Sequence, residues 1–527
     1  MRKKIGVSAF IIFIVITAFG YLTVWNKSDW EITWCDDLVF DAYGMEIKVL
    51  DGTELQENGA DYVNYWVMAA NGIYYVRNAQ LETACEILEN LMRTFYRYGK
   101  FPREEYQEYE YGWVSCMDAP TVAVLAEMIY EMTEDTKYSQ YVDDLSQYML
   151  LSVSNGGYIL DFDDKQWLLE YCDENTNVES AEFVLNGSLV GTLGTYLVAK
   201  STNNRELYDL VKLQIKLYKE KIANFWYNGD AWCYYQMGGA KNVDSAHYVI
   251  FEIRLFNALY EVTDDTFFRD EANRRINMLK KYYLMYVDDE DVFYFIRAGA
   301  PHYYYIDIYS TKLTFYDKDN VVIKEVTMQG RTQGDSLVSG NLPKETEKVE
   351  WTVVTDYYDV QMGELTIRRD AAYSLEVITN QFYIEGNKIT QNRGLTYVNG
   401  SEASRIDISG DLIDVLDYNA IYGIELESLE ALKEYNLGIV LYDSAGTSIS
   451  RYLPALVEGK NLAVFSLTGF RENFATDLVD IKEFTLRIYL EELESMDIKI
   501  GNLYKFDNPF ELYKYLQESQ YKINFGN

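Results

Sequence analysis

Proline is nearly missing from this chain: six residues in 527, which leaves little room for stiff linkers or Pro-rich tails. Histidine is scarcer, with His247 and His302 alone, so imidazole chemistry is confined to two positions. The five cysteines, Cys35, Cys85, Cys116, Cys172 and Cys233, are odd in number and their spacing fits no zinc site. Cys172 follows Tyr171 and Cys233 precedes Tyr234, so these two could bridge if their tyrosines share a pocket. Independent buried thiols are the expected alternative. Basic charge is also short: 47 Lys and Arg stand against 83 Asp and Glu, a formal net charge of −36. Such a surface disfavours nucleic acid and repels polyanions in general. Any anionic ligand then needs a locally basic cleft, while the acidic surface itself keeps the protein soluble.

Hydrophobic residues at 48% and charged residues at 25% are values of a globular chain. Its length exceeds one ordinary core, so two or three domains are expected. The 49 tyrosines offer flat faces and hydroxyls suited to sugars, although most of them must be structural. Ile5 to Trp25 is a charge-free run behind Arg2, Lys3 and Lys4, long enough to span a bilayer with its basic flank in the cytoplasm. A single-pass cell-membrane protein with the bulk of the chain extracytoplasmic is expected. Ala18-Phe19-Gly20 offers a cleavage site for the alternative reading, a signal peptide.

Residues 26–64 show no clear period and read as a stalk with short strands. From Trp66 to about Leu284 the helical period dominates, with helices expected over 79–98, 119–133, 137–151, 180–200, 204–222, 246–261 and 265–284. Leu81, Cys85, Leu88, Leu91 and Met92 show that spacing in the first. Seven such helices joined by polar and glycine loops suggest an incomplete α/α toroid over 65–290. After Val287 the period switches to two, as in Tyr304-Ile306-Ile308 and Phe484-Leu486-Ile488, with turn signals between. The expected architecture is thus an anchor over 1–25, the stalk, the toroid, a β-rich domain over 291–384 and a β domain over 385–527 that resembles carbohydrate-binding jelly rolls.

The stretch Trp167 to Tyr196 sets a carboxylate and a phenol side by side, Glu170 and Tyr171. A polar loop follows, and then a helix opening with Phe183-Val184-Leu185-Asn186-Gly187. That order resembles the C-terminal domain of the D-glucuronyl C5-epimerases, in which a glutamate-tyrosine pair precedes an F-V-L-N-G helix at nearly this distance. The resemblance covers Gly112 to Tyr282. It implies catalytic roles for Glu170 and Tyr171. It also implies one for a second tyrosine after a Gly-containing hairpin, matched by Tyr234 behind Asn228-Gly229-Asp230. A third tyrosine opens a Tyr-His-x-x-His helix in the animal enzymes. Here Asp244-Ser245-Ala246-His247-Tyr248 keeps His247, and Tyr248 stands for the displaced tyrosine.

Trp113 and Asp118 lie where the family has a Gly/Gln-rich helix start in its cleft, and Asp118 and Ala119 replace its glutamines. With Asn186, Tyr248 and Arg254 they complete the candidate substrate contacts. Arg254, two helical turns beyond His247, could neutralise a uronate carboxylate or pair with Glu252 or Asp244.

C5 inversion of a uronate needs two acid-base groups and neutralisation of the adjacent carboxylate, and requires neither metal nor nucleotide. No cofactor is expected.

Bland readings stand beside these. Glu170 can be a loop carboxylate beside a packed aromatic. Asn186-Gly187 serves mainly close helix approach. Asp161-Phe162-Asp163-Asp164 is a solvated turn rather than a calcium loop. The expected partners are a uronate-containing polysaccharide, the membrane through the N-terminal run and, as a homodimer, a second copy. The expectation is a hexuronate C5-epimerase-like enzyme; its rivals are a polysaccharide lyase with a toroid and β-sandwich, and a non-catalytic glycan-binding protein at the cell surface.

Overall fold

A computed structural model of the protein describes residues 64–524 apart from 105–108, 228–231, 238–243, 245, 282, 298–309, 329–336, 355–358, 370–375, 378, 385–386, 390–394, 400–404, 413–415, 418–419, 429–430, 432–436, 445, 447, 453–455, 466–480, 490–494 and 520–521. The expected anchor over Ile5–Trp25 and the stalk over 26–63 lie outside the described residues. Among the described residues no helix is long and apolar enough to cross a membrane.

Helices come first and antiparallel sheets follow, the order that the change of period at the sequence level anticipates. Helix α1 (Tyr65–Arg77) precedes the helices expected. It is apolar on nearly every side, and a Cβ on its Gly72 would lie 2.4 Å from Leu125, so it nests into a neighbouring helix. Helix α2 (Leu81–Tyr98) buries Ala84, Leu88, Leu91 and Phe95 along one stripe and ends at Gly99 in the left-handed region, φ 70°. Helices α3 (Asp118–Thr133) and α4 (Thr136–Tyr148) are separated by a tight turn, where the Asp135 side chain caps α4 by accepting from the Lys137 N–H.

Strands β1 (Ile159–Phe162) and β2 (Lys165–Leu168) form a hairpin around Asp163 and Asp164, both at positive φ. Two consecutive left-handed residues make the turn whose twist suits a two-residue hairpin. Asp163 and Asp164 therefore form the turn, while Asp161 and Phe162 belong to β1.

Helix α5 (Leu185–Thr202) carries glycines at 187, 191 and 194. A Cβ on Gly191 would stand 2.8 Å from the Cys116 carbonyl oxygen, and one on Gly194 2.8 Å from the Pro120 Cβ, so α5 runs hard against the start of α3. On its other side the Tyr218 hydroxyl of α6 (Arg205–Lys221) meets Ser188 at 2.7 Å and Thr192 at 2.8 Å. The helix expected from residue 180 begins at Leu185 instead. Val184 bridges to Gln236, and the Leu185 N–H donates to the Tyr235 carbonyl, which holds this backbone extended. After β3 (Trp226–Tyr227) and β4 (Trp232–Cys233) come α7 (Ala246–Thr263) and α8 (Thr266–Lys280).

Helix α8 stops at Lys280 because β5 (Tyr283–Val287) starts the sheets. In chain order β6 (Val292–Arg297), β7 (Ser310–Tyr316), β8 (Val322–Met328), β9 (Leu337–Asn341), β10 (Lys348–Val354), β11 (Asp359–Glu364) and β12 (Ile367–Arg368) follow. They form two four-stranded sheets, ordered β12-β5-β6-β9 and β11-β10-β7-β8. These pack face to face through Trp351, whose ring lies 4.3 Å from Tyr283 and 5.4 Å from Phe295. Two six-stranded sheets make a second sandwich, beginning at Glu376–Val377. One is centred on Ile421–Ser428 and Ser495–Phe506, the other on Arg405–Leu412 and Ile481–Tyr489, and Phe465 meets Phe484 across them. The late helix Pro509–Glu518 closes on this sandwich through Tyr515, whose hydroxyl donates to the buried Glu425.

The chain divides into two compact units. The first takes residues up to Ala181, Gly187–Tyr218 and Leu255–Thr266; the second takes Glu182–Asn186, Lys219–Arg254 and everything from Phe267.

Candidate active site

In the first unit, Glu170 and Tyr171 are held by a short backbone ladder. The Val114 N–H donates to the Cys172 carbonyl at 2.8 Å and the Cys172 N–H returns to Val114 at 3.2 Å. The Cys116 N–H donates to Leu169 at 2.9 Å. The two side chains then part. Tyr171, half-buried, lies over Trp113 at 5.3 Å and stacks on Tyr109 at 5.9 Å. Glu170 is buried and turns toward the first turn of α5, where a Cβ on Gly187 would come within 2.2 Å of its Oε2. The N-terminal turn of a helix favours a carboxylate. Cys116 completes this corner, its thiol donating to the Gly187 carbonyl at 3.2 Å. Burial pushes the Cys116 thiol well above its ordinary pKa, and the Glu170 charge pushes it further the same way.

Two expected substrate contacts are buried and already partnered here. Asp118 is 1% exposed, and its carboxylate accepts from Arg103 Nε at 2.9 Å, Arg103 Nη2 at 2.6 Å and the Trp66 N–H at 3.1 Å. Its oxygens are committed to a buried ion pair that ties the starts of α1 and α3 together. Trp113 is likewise 1% exposed, with its indole N–H donating to the Glu104 carbonyl and the Arg103 guanidinium 5.1 Å from its ring. It is the wall behind Tyr171 and not an open face. Arg103 and Tyr109 escape a reading of the sequence, because nothing periodic links Arg103 to a partner 15 residues on.

In the second unit, β3 and β4 pair antiparallel, Trp226 with Cys233 and Tyr227 with Trp232. The turn at Asn228-Gly229-Asp230 itself lies outside the described residues. Tyr234 follows β4, 7% exposed, its N–H donating to the Phe225 carbonyl at 2.7 Å. Residues 235–237 then pair with 183–185, the Met237 N–H donating to Phe183. The Phe183-Val184-Leu185 run thus docks the chain just beyond Tyr234. Asn186 comes next, 3% exposed, and its amide nitrogen finds no acceptor among the described residues.

His247 is the second residue of α7, and Tyr248 beside it is 40% exposed with its ring 5.3 Å from Tyr235. Arg254 is half-buried on the same helix. It does not pair with Glu252, whose Oε2 accepts from Arg275 Nε of α8 at 2.6 Å, with Glu271 on Arg275 Nη1 at 2.8 Å. No bridge links Cys172 and Cys233: both thiols are free and buried, as is Cys116, while Cys85 is free and half-buried.

Residues 64–277 match the family model of the D-glucuronyl C5-epimerase C-terminus. No curated protein matches the chain. Among solved structures, unsaturated glucuronyl hydrolase from Bacillus sp. GL1 aligns at 13% identity over 41% of this chain and 61% of its own, TM-score 0.29. Cellobiose 2-epimerase from Bacillus thermoamylovorans aligns at 15% over 42% and 61%, TM-score 0.31. An α-mannanase from Bacteroides thetaiotaomicron aligns at 15% over 49% and 72%, TM-score 0.30. The chain spans less than two thirds of the first two. The segments that carry Glu170, Tyr171, Phe183-Val184-Leu185-Asn186-Gly187 and Tyr234 all fall inside the stretch that is similar to the D-glucuronyl C5-epimerase C-terminus.

Proposed function

We propose that this protein is a hexuronate C5-epimerase acting on a uronate-containing polysaccharide. The observation that carries the reading is the family match over residues 64–277, inside which the glutamate-tyrosine pair and the second tyrosine stand on separately clamped backbone segments. The reaction breaks a C–H bond beside a carboxylate and remakes it from the opposite face. One group takes the C5 proton while another, already protonated, delivers its own; the two then exchange roles. We assign these parts to Tyr171 and Tyr234. A free phenol ionises near pH 10, so a tyrosine base needs neighbouring donors or cations. Glu170 and His247 are assigned to tuning or assisting that pair.

Arg254 is assigned to the uronate carboxylate, whose added negative charge in the transition state is the main barrier. The buried Asn186 amide is a donor left for a substrate oxygen. Tyr248, exposed and next in sequence to His247, is assigned to sugar contact. Closure of the helices as an incomplete α/α toroid, a membrane anchor over residues 5–25, an extracytoplasmic location and a homodimer belong to the same proposal.

The test is proton NMR of uronate polymers incubated with the protein in deuterated water. Deuterium at C5 with chain length unchanged is the expected result. An unsaturated uronate with shorter chains would make the protein a lyase. Binding without exchange would make it a glycan-binding protein. In the same assay Tyr171→Phe is expected to lose exchange by about 10²–10⁴-fold with the melting temperature preserved; full exchange in that variant overturns the assignment.

A further inference from the structure

Outside the assigned acid-base groups, Cys233, Asp244 and Glu252 converge from three elements: the end of β4, the segment before α7, and the second turn of α7. One ligand atom from each lies within 4.8 Å of the others, and all three residues are 0% exposed. Asp244 is fixed on Cys233 by backbone, its N–H donating to the Cys233 carbonyl at 2.9 Å and its carbonyl accepting from the Trp232 indole at 2.8 Å. A second, independent observation points the same way. Glu252 spends one oxygen on Arg275, whereas its other oxygen, Oε1, is buried with no hydrogen-bond donor among the described residues. A carboxylate oxygen buried without a donor is costly to the fold.

We propose that these three side chains bind a thiophilic divalent cation, zinc foremost. Thiolate sulfur and carboxylate oxygen together suit zinc better than calcium or magnesium. In a tetrahedral zinc site, sulfur and oxygen ligands stand about 3.5 Å apart. The Cys233 Sγ lies 3.9 Å from Asp244 Oδ2, so that pair needs a contraction of only a few tenths of an ångström, while the Glu252 carboxylate, within 4.8 Å of both, would move further inward. Binding expels the thiol proton to solvent and forms the metal–sulfur bond. The ion would rivet the strand that precedes Tyr234 to the helix that bears His247 and Arg254. The linear spacing of 11 and 8 residues matches no motif, which is why the cysteine pattern reads as metal-free.

The inference stands whether or not the protein is an epimerase, and its test reads metal and not turnover. Full-length protein, dialysed without chelator, is expected to retain about one zinc per chain by elemental analysis. After stripping, added Co²⁺ is expected to produce a thiolate-to-cobalt charge-transfer band. Cys233→Ser should abolish the band, Asp244→Asn and Glu252→Gln should weaken Co²⁺ binding at least tenfold, and Cys85→Ser should leave it intact. If Cys233→Ser does not fold, the two carboxylate variants decide. Wild-type protein without zinc and without a cobalt–thiolate band overturns the proposal, as does a band that survives in folded Cys233→Ser.

Discussion

Gly187 fixes where a carboxylate stands by having no side chain. A Cβ there would collide with the Glu170 carboxyl group and with its Cγ at 2.6 Å. The colliding group is a side chain, which can swing away, so the fold tolerates what the site does not. Gly187→Ala is therefore expected to cut C5 exchange by about ten- to a hundredfold, because displacement by about an ångström is costly to positioned groups. Its thermal melt should stay close to wild type. Equal losses of both would mean that Gly187 is needed only for packing.

The thiols give a second expectation at this scale. Burial disfavours the thiolate, so Cys116 and Cys172 have pKa values raised above the ordinary thiol value. The reactive form appears only as pH rises past that raised value. Iodoacetamide at pH 8 should label Cys85 well before these two in folded protein, and all three once urea unfolds it, as read by peptide mass spectrometry. Native-state labelling of Cys116 at the unfolded rate would show that its corner opens to solvent.

Among the elements, α5 shows what a sequence reveals and what it hides. Its F-V-L-N-G opening was visible as a signature, but not its job: the first three residues are backbone partners of 235–237, a contact about 50 residues away in sequence that no local pattern encodes. Helix α1 escaped for the opposite reason. A helix buried on most sides has no polar face, so the 3.6-residue alternation that betrays α2 is missing from it. The Tyr234 hairpin was legible because Asn-Gly-Asp between aromatic runs is a local signal. The Arg103–Asp118 pair was not, because charge partners depend on the finished fold.

The glycines of α5 carry an element-scale prediction. In a free helix Gly→Ala gains about 1 kcal/mol of propensity. At Gly191 the new methyl meets the Cys116 backbone oxygen at 2.8 Å, and backbone cannot swing aside. Overpacking of that kind costs about 1–3 kcal/mol. Gly191→Ala is thus expected to lower the free energy of urea unfolding on balance, and a gain in stability would show that α5 is free to move away from α3.

For the molecule as a whole, the dominant physical fact is charge. Under the proposed function, a chain at −36 and a polyuronate substrate are two polyanions brought together. Long-range repulsion slows their encounter, whereas salt shortens the Debye length from about 30 Å at 0.01 M to about 8 Å at 0.15 M and screens exposed charges first. Contacts that a bound uronate makes with a half-buried cation such as Arg254 are screened much less. The sign follows: KM for the polymer should fall as sodium chloride rises from about 0.01 to 0.15 M, with kcat little changed. A short uronate oligosaccharide, with few charges, should show a much weaker trend. The opposite slope, with KM rising from the lowest salt, would mean that a basic cleft dominates the encounter despite the acidic surface. Initial rates across that salt range, with polymer and with a short uronate oligosaccharide in parallel, separate the two, because repulsion between whole molecules scales with polymer charge and a local contact does not.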